Sequence, residues 1–282
     1  MPATGPDREA SRPTTSVFPS VLVGIDGSRT SVLAVEQAAA LGPAAGIRLL
    51  AVTWQQGTGA SAVAVLSPWR AEAALERARQ HLLELGITPS VEMVEDPDAT
   101  GRLLREAQGH DLLVLGAHGH SRAGGMLTGS TASAALHRAE IPVLLARTIG
   151  TPEQLLDRVL LALDGTEASL GAARIVAALA RRRGVGDVTL IAPSDPDATR
   201  RHVIATCAAE VRAATGLEPV VLDEHGAAHH AITRAAKDSG ATLIVVGSRG
   251  LSGTAALRSV SERVGHDALC SVLVVRGRPV WP

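Results

Sequence analysis

Residues 116–130 read GAHGHSRAGGMLTGS, with five glycines among fifteen residues, directly after the apolar run DLLVL. So many glycines suit neither a packed helix nor a strand, but they let main-chain N–H groups approach a ligand closely. The segment that follows Gly129, Ser130 and Thr131 has helical spacing, so its first turn offers unpaired N–H groups and the positive end of a dipole. That is anion chemistry, and phosphate is the anion it suits best. Ser130 adds a hydroxyl donor, and at Gly119 and Gly129 a Cβ would intrude on a bound phosphate. A second chemical group stands far off in sequence: Asp26, at the end of the apolar run VLVGI. His118, His120 and Arg122 lie inside the loop and read as solvated residues.

The elements that must position these groups occur twice. SVLVGIDGSRTSVLAVEQAAALG from Ser20 is echoed by RVLLALDGTEASLGAARIVAALA from Arg158, which pairs Asp26 with Asp164. DLLVLGAHGHS is echoed by ATLIVVGSRGLS, which pairs Gly116 with Gly247 and Gly119 with Gly250. The units close alike, with EIPVLLAR and CSVLVVR. The expected organisation is a tail over 1–18, units over 19–147 and 157–276, a linker over 148–156 and a second tail over 277–282. The tail over 1–18 is expected to be disordered. Within each unit short apolar runs alternate with helical patterns, which predicts an α/β fold with a parallel sheet covered on both faces. Ser28 is placed to cap the first helix, and Asp98 or Thr100 to start a short helix reaching Gln108. Pro142 suits a strand at the edge of its sheet. In open parallel sheets ligands sit beyond the carboxyl ends of the strands, so Asp26 and Gly116 are expected to meet there.

The spacing Gly116-x2-Gly119-x9-Gly129-Ser130, with Asp26 ending an early strand, resembles the ATP-binding subgroup of the universal stress protein family, here in tandem. The resemblance covers nearly all of both units. It implies two open parallel five-stranded sheets flanked by helices, Rossmann-like and similar to the adenine nucleotide α-hydrolases. It also implies ATP, with Mg²⁺ as an optional companion, held between the first and fourth strand ends. On that pattern Asp26 contacts adenosine, and Gly24 and Val52 line the adenine slot. Gly116 and Gly119 face ribose and phosphates, and Gly129, Ser130 and Thr131 hold the phosphate tail. In unit two the pattern gives Asp164, Gly247, Gly250 and Ser261, with Val260 where unit one has Gly129. A β-branched residue resists φ > 0 and adds bulk, so weaker or absent triphosphate binding is expected there. The family also pairs its last strand between subunits. A tandem chain can pair its two units internally, and a homodimer of such chains is a further option.

Composition narrows the alternatives. The formal net charge is −1 and aromatics make up 1%, so neither nucleic acid nor an anionic membrane is an expected partner. Two cysteines, Cys207 and Cys270, give no disulfide framework and fit a reducing cytoplasm as buried small residues. No G-x4-G-K-[ST] loop is present, and no G-x-G-x-x-G follows the first strand of either unit. His225, His229 and His230 lack a cysteine or carboxylate at ligand spacing, so no metal is expected. Without a clear base, the site fits sensing better than turnover: a nucleotide-dependent stress-response regulator acting on a protein partner the sequence does not name. The alternatives are a slow ATP hydrolase and a nucleotide-free scaffold.

Overall fold

The computed structural model describes residues 16–41, 46–56, 63–118, 129–147, 151–224, 226–248 and 259–276. Unit one runs β1 (Val21–Gly24), α1 (Arg29–Leu41), β2 (Ile47–Gln56), β3 (Val63–Leu66), α2 (Pro68–Glu84), β4 (Ser90–Glu95), α3 (Ala99–Ala107), β5 (Leu112–Gly116), α4 (Ser130–Arg138) and β6 (Val143–Ala146). A 3₁₀ turn over Pro152–Leu156 leads into unit two. That unit runs β7 (Arg158–Ala162), α5 (Glu167–Arg183), β8 (Asp187–Pro193), α6 (Ala198–Thr215), β9 (Val220–Glu224), α7 (Ala228–Asp238), β10 (Leu243–Gly247), α8 (Val260–Asp267) and β11 (Ser271–Val275).

Local chemistry sets several of these bounds. Ser28 Oγ accepts the Ser31 N–H at 3.2 Å and starts α1, and Asp98 Oδ1 accepts the Gly101 N–H at 2.8 Å and starts α3. Asp197 does the same for α6, which stops at Gly216 in the left-handed conformation (φ 71). The central strands β1, β5, β7 and β10 are buried almost without interruption, as expected of strands covered on both faces.

The parallel ladders place the strands in the order β4-β2-β1-β5-β6 in unit one and β9-β8-β7-β10-β11 in unit two. Two departures from the sequence reading follow. First, β3 pairs antiparallel with the far end of β2, a hairpin that helix–strand alternation does not announce. Second, β6 is no edge: it pairs with β5 on one side and antiparallel with β11 on the other, which joins the eleven strands of the described residues into one sheet. Pro142 precedes the ladder of β6, so its missing N–H costs no pairing, while its carbonyl accepts the Leu113 N–H at 3.0 Å. Each face of the sheet carries one apolar core fed by both units. One holds Val35, Leu75, Val176 and Val211 from α1, α2, α5 and α6; the other holds Leu103, Leu136, Ile232 and Val264 from α3, α4, α7 and α8.

The seam has approximate two-fold symmetry about the Leu144–Leu273 pair. Arg147, just after β6, is buried and donates from Nη2 to the Gly265 carbonyl near the end of α8 at 2.5 Å. Arg276, just after β11, reaches the Leu136 and Ala139 carbonyls at the end of α4, the latter at 2.6 Å. Each unit's terminal arginine therefore caps a helix of the other. Burial pulls the Arg147 guanidinium down to about 10, which leaves it charged at neutral pH. His137 of α4 also meets the buried Glu262 of α8 across the seam, Nε2 to Oε1 at 2.6 Å.

This symmetry fixes the correspondence between the units. Leu136 answers to Gly265, His137 to His266, Ala139 to Ala268 and Arg147 to Arg276. On the same spacing Ser130 answers to Ser259, Ala132 to Ser261, and Gly129 to Arg258. The expected matches, Gly129 with Val260 and Ser130 with Ser261, are therefore corrected. The segment between Gly247 and Ser259 is two residues shorter than that between Gly116 and Ser130, which an ungapped comparison overlooks.

Candidate functional site

The carboxyl edge of unit one gathers most of the residues singled out in its sequence. Gly24 is level with Leu50, and carrying that register forward sets Asp26 level with Val52 on β2. On the other side Val23 is level with Val114, so Ile25 falls beside Gly116 at the end of β5. Asp26 is half-buried in a tight turn: its Oδ1 accepts the Ser28 N–H at 2.9 Å, and Gly27 follows with φ 77, a value that favours glycine. Val52 is half-buried at the rim of the α3/α4 core.

Gly116 has a packing reason to be glycine. A Cβ on Gly116 would lie 2.5 Å from Thr30 Oγ1 and 2.6 Å from the Thr30 carbonyl carbon, because the first turn of α1 rests on the end of β5. A Cβ on Gly24 would lie 2.6 Å from Leu115 Cδ2. Gly247 repeats the arrangement in unit two, 2.3 Å from the Ala168 carbonyl oxygen of α5. Glycine at the ends of β5 and β10 is thus explained by helix packing before any ligand is considered, whereas the Gly24 contact is with a leucine side-chain tip that can turn aside.

Beyond Gly116 the chain is held at both sides of its excursion. Ser28 and Thr30 donate their hydroxyls to the His118 carbonyl, the former at 3.3 Å. The Gly129 N–H returns to the Ala117 carbonyl at 2.8 Å and brings the start of α4 back to the end of β5. Thr131 Oγ1 lies 3.2 Å from Thr100 Oγ1, which joins the first turns of α4 and α3. Gly119 lies outside the described residues, as do His120, Arg122 and, in unit two, Gly250. Sequence reasoning passed over Thr30 and Thr100. The replacement of Thr30 by Ala168 in the second repeat was the available signal.

Gly129 has φ −69 and ψ 159, an extended conformation open to any residue, so positive φ is not the reason for glycine there. What Gly129 does supply is a helix start with no capping side chain, no acidic residue in its first turn, and Ser130 exposed. The N–H groups of that first turn have no partner within the helix itself. Unit two differs. Ser259 caps α8 by accepting the Glu262 N–H at 3.3 Å, and Glu262 places an acid in the first turn. Ser261 is buried rather than presented at the edge, and Val260 is exposed in the first turn. Asp164 keeps its turn: Oδ1 accepts the Thr166 N–H at 3.0 Å and the Thr166 hydroxyl at 2.6 Å. The turn is crowded by α6, since a Cβ on Gly165 would lie 2.4 Å from Arg200 Cβ.

Among the described residues no group of three His, Cys, Asp or Glu side chains is arranged to hold a metal ion. His229 is buried, and burial, with Arg263 and His230 adding to it, lowers its pKa. No helix among the described residues is long and apolar enough to cross a membrane.

The sequence profile of the universal stress protein family matches the chain twice, over residues 18–147 and 156–276. The chain belongs to that family. A universal stress protein of Mycolicibacterium smegmatis is 29% identical over 296 aligned positions, which cover 92% of this chain and 97% of that protein. One from Mycobacterium tuberculosis is 35% identical over 136 positions, 45% of each chain. Among solved structures, a universal stress protein from Archaeoglobus fulgidus superposes with a TM-score of 0.74 at 25% identity, covering 94% of this chain and 98% of that one. A Pseudomonas aeruginosa protein described as functionally unknown shares the fold, with a TM-score of 0.67 at 18% identity.

Proposed function

We propose that unit one binds ATP at its carboxyl edge and that the protein acts as a nucleotide-dependent regulator of a stress response. The observation that carries this reading is the uncapped first turn of α4, brought back to the end of β5 beside the Asp26 turn. An anion there meets main-chain N–H groups and the Ser130 and Thr131 hydroxyls at the positive end of the helix. Asp26 supplies an acceptor at the other end of the site for adenosine hydroxyl or amino groups, and Val52 offers an apolar wall. Gly119 belongs to the same proposed cradle on its spacing in the sequence.

The same reading makes unit two weaker for a triphosphate. Its α8 start is already satisfied by Ser259 and carries Glu262, and Arg258 stands where unit one has Gly129. Asp164, Gly247 and Gly250 persist without an open helix end to work with. Internal pairing of the units through β6 and β11 supports a chain that is its own pseudo-dimer, with further dimerisation optional. At the described edge of unit one the Asp26 carboxylate is held in its turn by the Ser28 N–H, a placement that suits holding a nucleotide better than turning it over.

The test is mass analysis of small molecules released from the purified chain on denaturation, followed by calorimetric titration of stripped protein with ATP. The reading expects an adenine nucleotide and one strong site per chain. Two equal sites, or no ATP-dependent heat with and without Mg²⁺, would sink it. Steady phosphate release that requires Asp26 would favour the hydrolase alternative.

A further inference from the structure

One buried polar cluster of the seam has no counterpart across the pseudo-axis. Gln37, in the third turn of α1, is 1% exposed. Its Nε2 donates to the Arg147 carbonyl at 2.9 Å, and its Oε1 accepts the Ser271 hydroxyl of unit two at 2.9 Å. Ser271 Oγ in turn accepts the Arg147 N–H at 3.0 Å. Three buried polar groups from α1, the end of β6 and the start of β11 thus satisfy one another inside an apolar surround. On the other side of the pseudo-axis the positions matching Gln37 and Ser271 are Ile175 and Pro142, so no counterpart of this polar tie can form there. The paired arginines occur on both sides; the Gln37 tie occurs once.

The helix that carries Gln37 begins at the candidate site of unit one. Ser28 and Thr30, at its start, hold the His118 carbonyl where the loop departs, and Asp26 precedes them in the same turn. Gln37 lies two turns further on, about 10 Å along the axis. One short rigid helix therefore touches the loop of unit one at its first turn and the first residue of β11 at its third. The Ser271 hydroxyl has one other acceptor in reach, the Arg147 carbonyl at 3.2 Å, but turning to it leaves Gln37 Oε1 desolvated without that bond, so the cluster favours the arrangement with Gln37. A small displacement of α1 must be followed by Ser271 and Arg147 or break the tie.

We infer that Gln37 is a positioning residue that couples occupancy of the unit-one site to the seam with unit two. Nucleotide in unit one is felt at β11 through α1, and by reciprocity the state of the seam sets nucleotide affinity. The route runs from unit one only, since Ile175 offers unit two no equivalent. This inference rests on the nucleotide reading above.

The experiment uses the full chain and its Gln37→Leu and Ser271→Ala variants, with thermal melting to confirm folding. ATP titration by calorimetry is paired with hydrogen exchange read by mass spectrometry. In the parent chain ATP slows exchange at residues 24–31 and also at 271–276. In both variants protection at 24–31 persists, protection at 271–276 disappears, and ATP affinity falls about 5-fold, the lower end of ordinary coupling. Ser271→Ala keeps the test alive if Gln37→Leu fails to fold. Unchanged affinity together with unchanged protection at 271–276 in a folded variant overturns the inference while leaving the nucleotide reading intact. Absence of any ATP binding in the parent chain overturns the nucleotide reading itself.

Discussion

Gly247→Ala tests whether the strand-end glycines answer to helix packing. The added Cβ would lie 2.3 Å from the Ala168 carbonyl oxygen, 2.4 Å from its carbonyl carbon and 2.7 Å from the Ser169 nitrogen. All three are main-chain atoms of the first turn of α5, so no side chain can rotate aside. Ordinary contact needs about 3.5 Å, so α5 must retreat by about 1 Å from the end of β10. That helix also packs Ala172, Ile175, Val176 and Leu179 into the core, so the retreat loosens a row of buried contacts. Overpacking of this kind costs about 2 kcal/mol, equivalent to about 4–8 °C in melting temperature for a unit or chain of this size. The assay is calorimetric or circular-dichroism melting of the full chain beside Gly216→Ala. Gly216 has φ 71 but nothing within 4 Å of a Cβ, so its substitution reports backbone strain alone, about 1 kcal/mol. If Gly247→Ala melts within about 1 °C of the parent, or no lower than Gly216→Ala, the packing explanation fails for Gly247 and loses its support at Gly116.

Asp26→Ala is expected to lower ATP affinity about 10-fold or more by calorimetry, because a charged hydrogen bond to the nucleotide is lost; unchanged affinity in a folded variant would count against the Asp26 contact. Cys207 is fully buried and burial pushes its thiol up to about 12; Cys270 is pushed up to about 11 for the same reason. Both thiols should resist a disulfide reagent at pH 8 in the native chain and react together once it unfolds; fast native labelling of either contradicts the burial. Burial works to raise the Glu106 carboxyl, but hydrogen bonds from Arg102 and Arg48 outweigh it and hold the pKa below its ordinary value. The stability this pairing gives is present above the unfolded carboxylate range and is lost as pH falls through the lowered folded value. Glu106→Gln should therefore flatten the fall in melting temperature below about pH 4, and an unchanged acid limb would count against the pairing.

The architecture of each unit was legible because it rests on local chemistry and on repetition. Ser28 and Asp98 mark helix starts wherever they fall in the fold, and unbroken apolar runs such as DLLVL have few uses besides a buried strand. The duplication declared itself through Asp26 with Asp164 and Gly116 with Gly247, since both repeats need the same turn and the same close helix packing. What the sequence could not decide was how the second repeat aligns once its loop shortens, since Val260 and Ser261 match Gly129 and Ser130 only while no gap is allowed. The cross-seam contacts of Arg147, Arg276, His137 and Glu262 set that register, because reciprocal contacts about a two-fold axis admit one correspondence. Only the tertiary structure could show that β6 lies inside a continuous sheet, that α8 is capped where α4 is open, and that Gln37 meets Ser271. The first and the last depend on residues more than a hundred positions apart, whose proximity is set by sheet order and leaves no periodic trace in the chain, while the cap of α8 is local and became legible only once the register of the repeats was known.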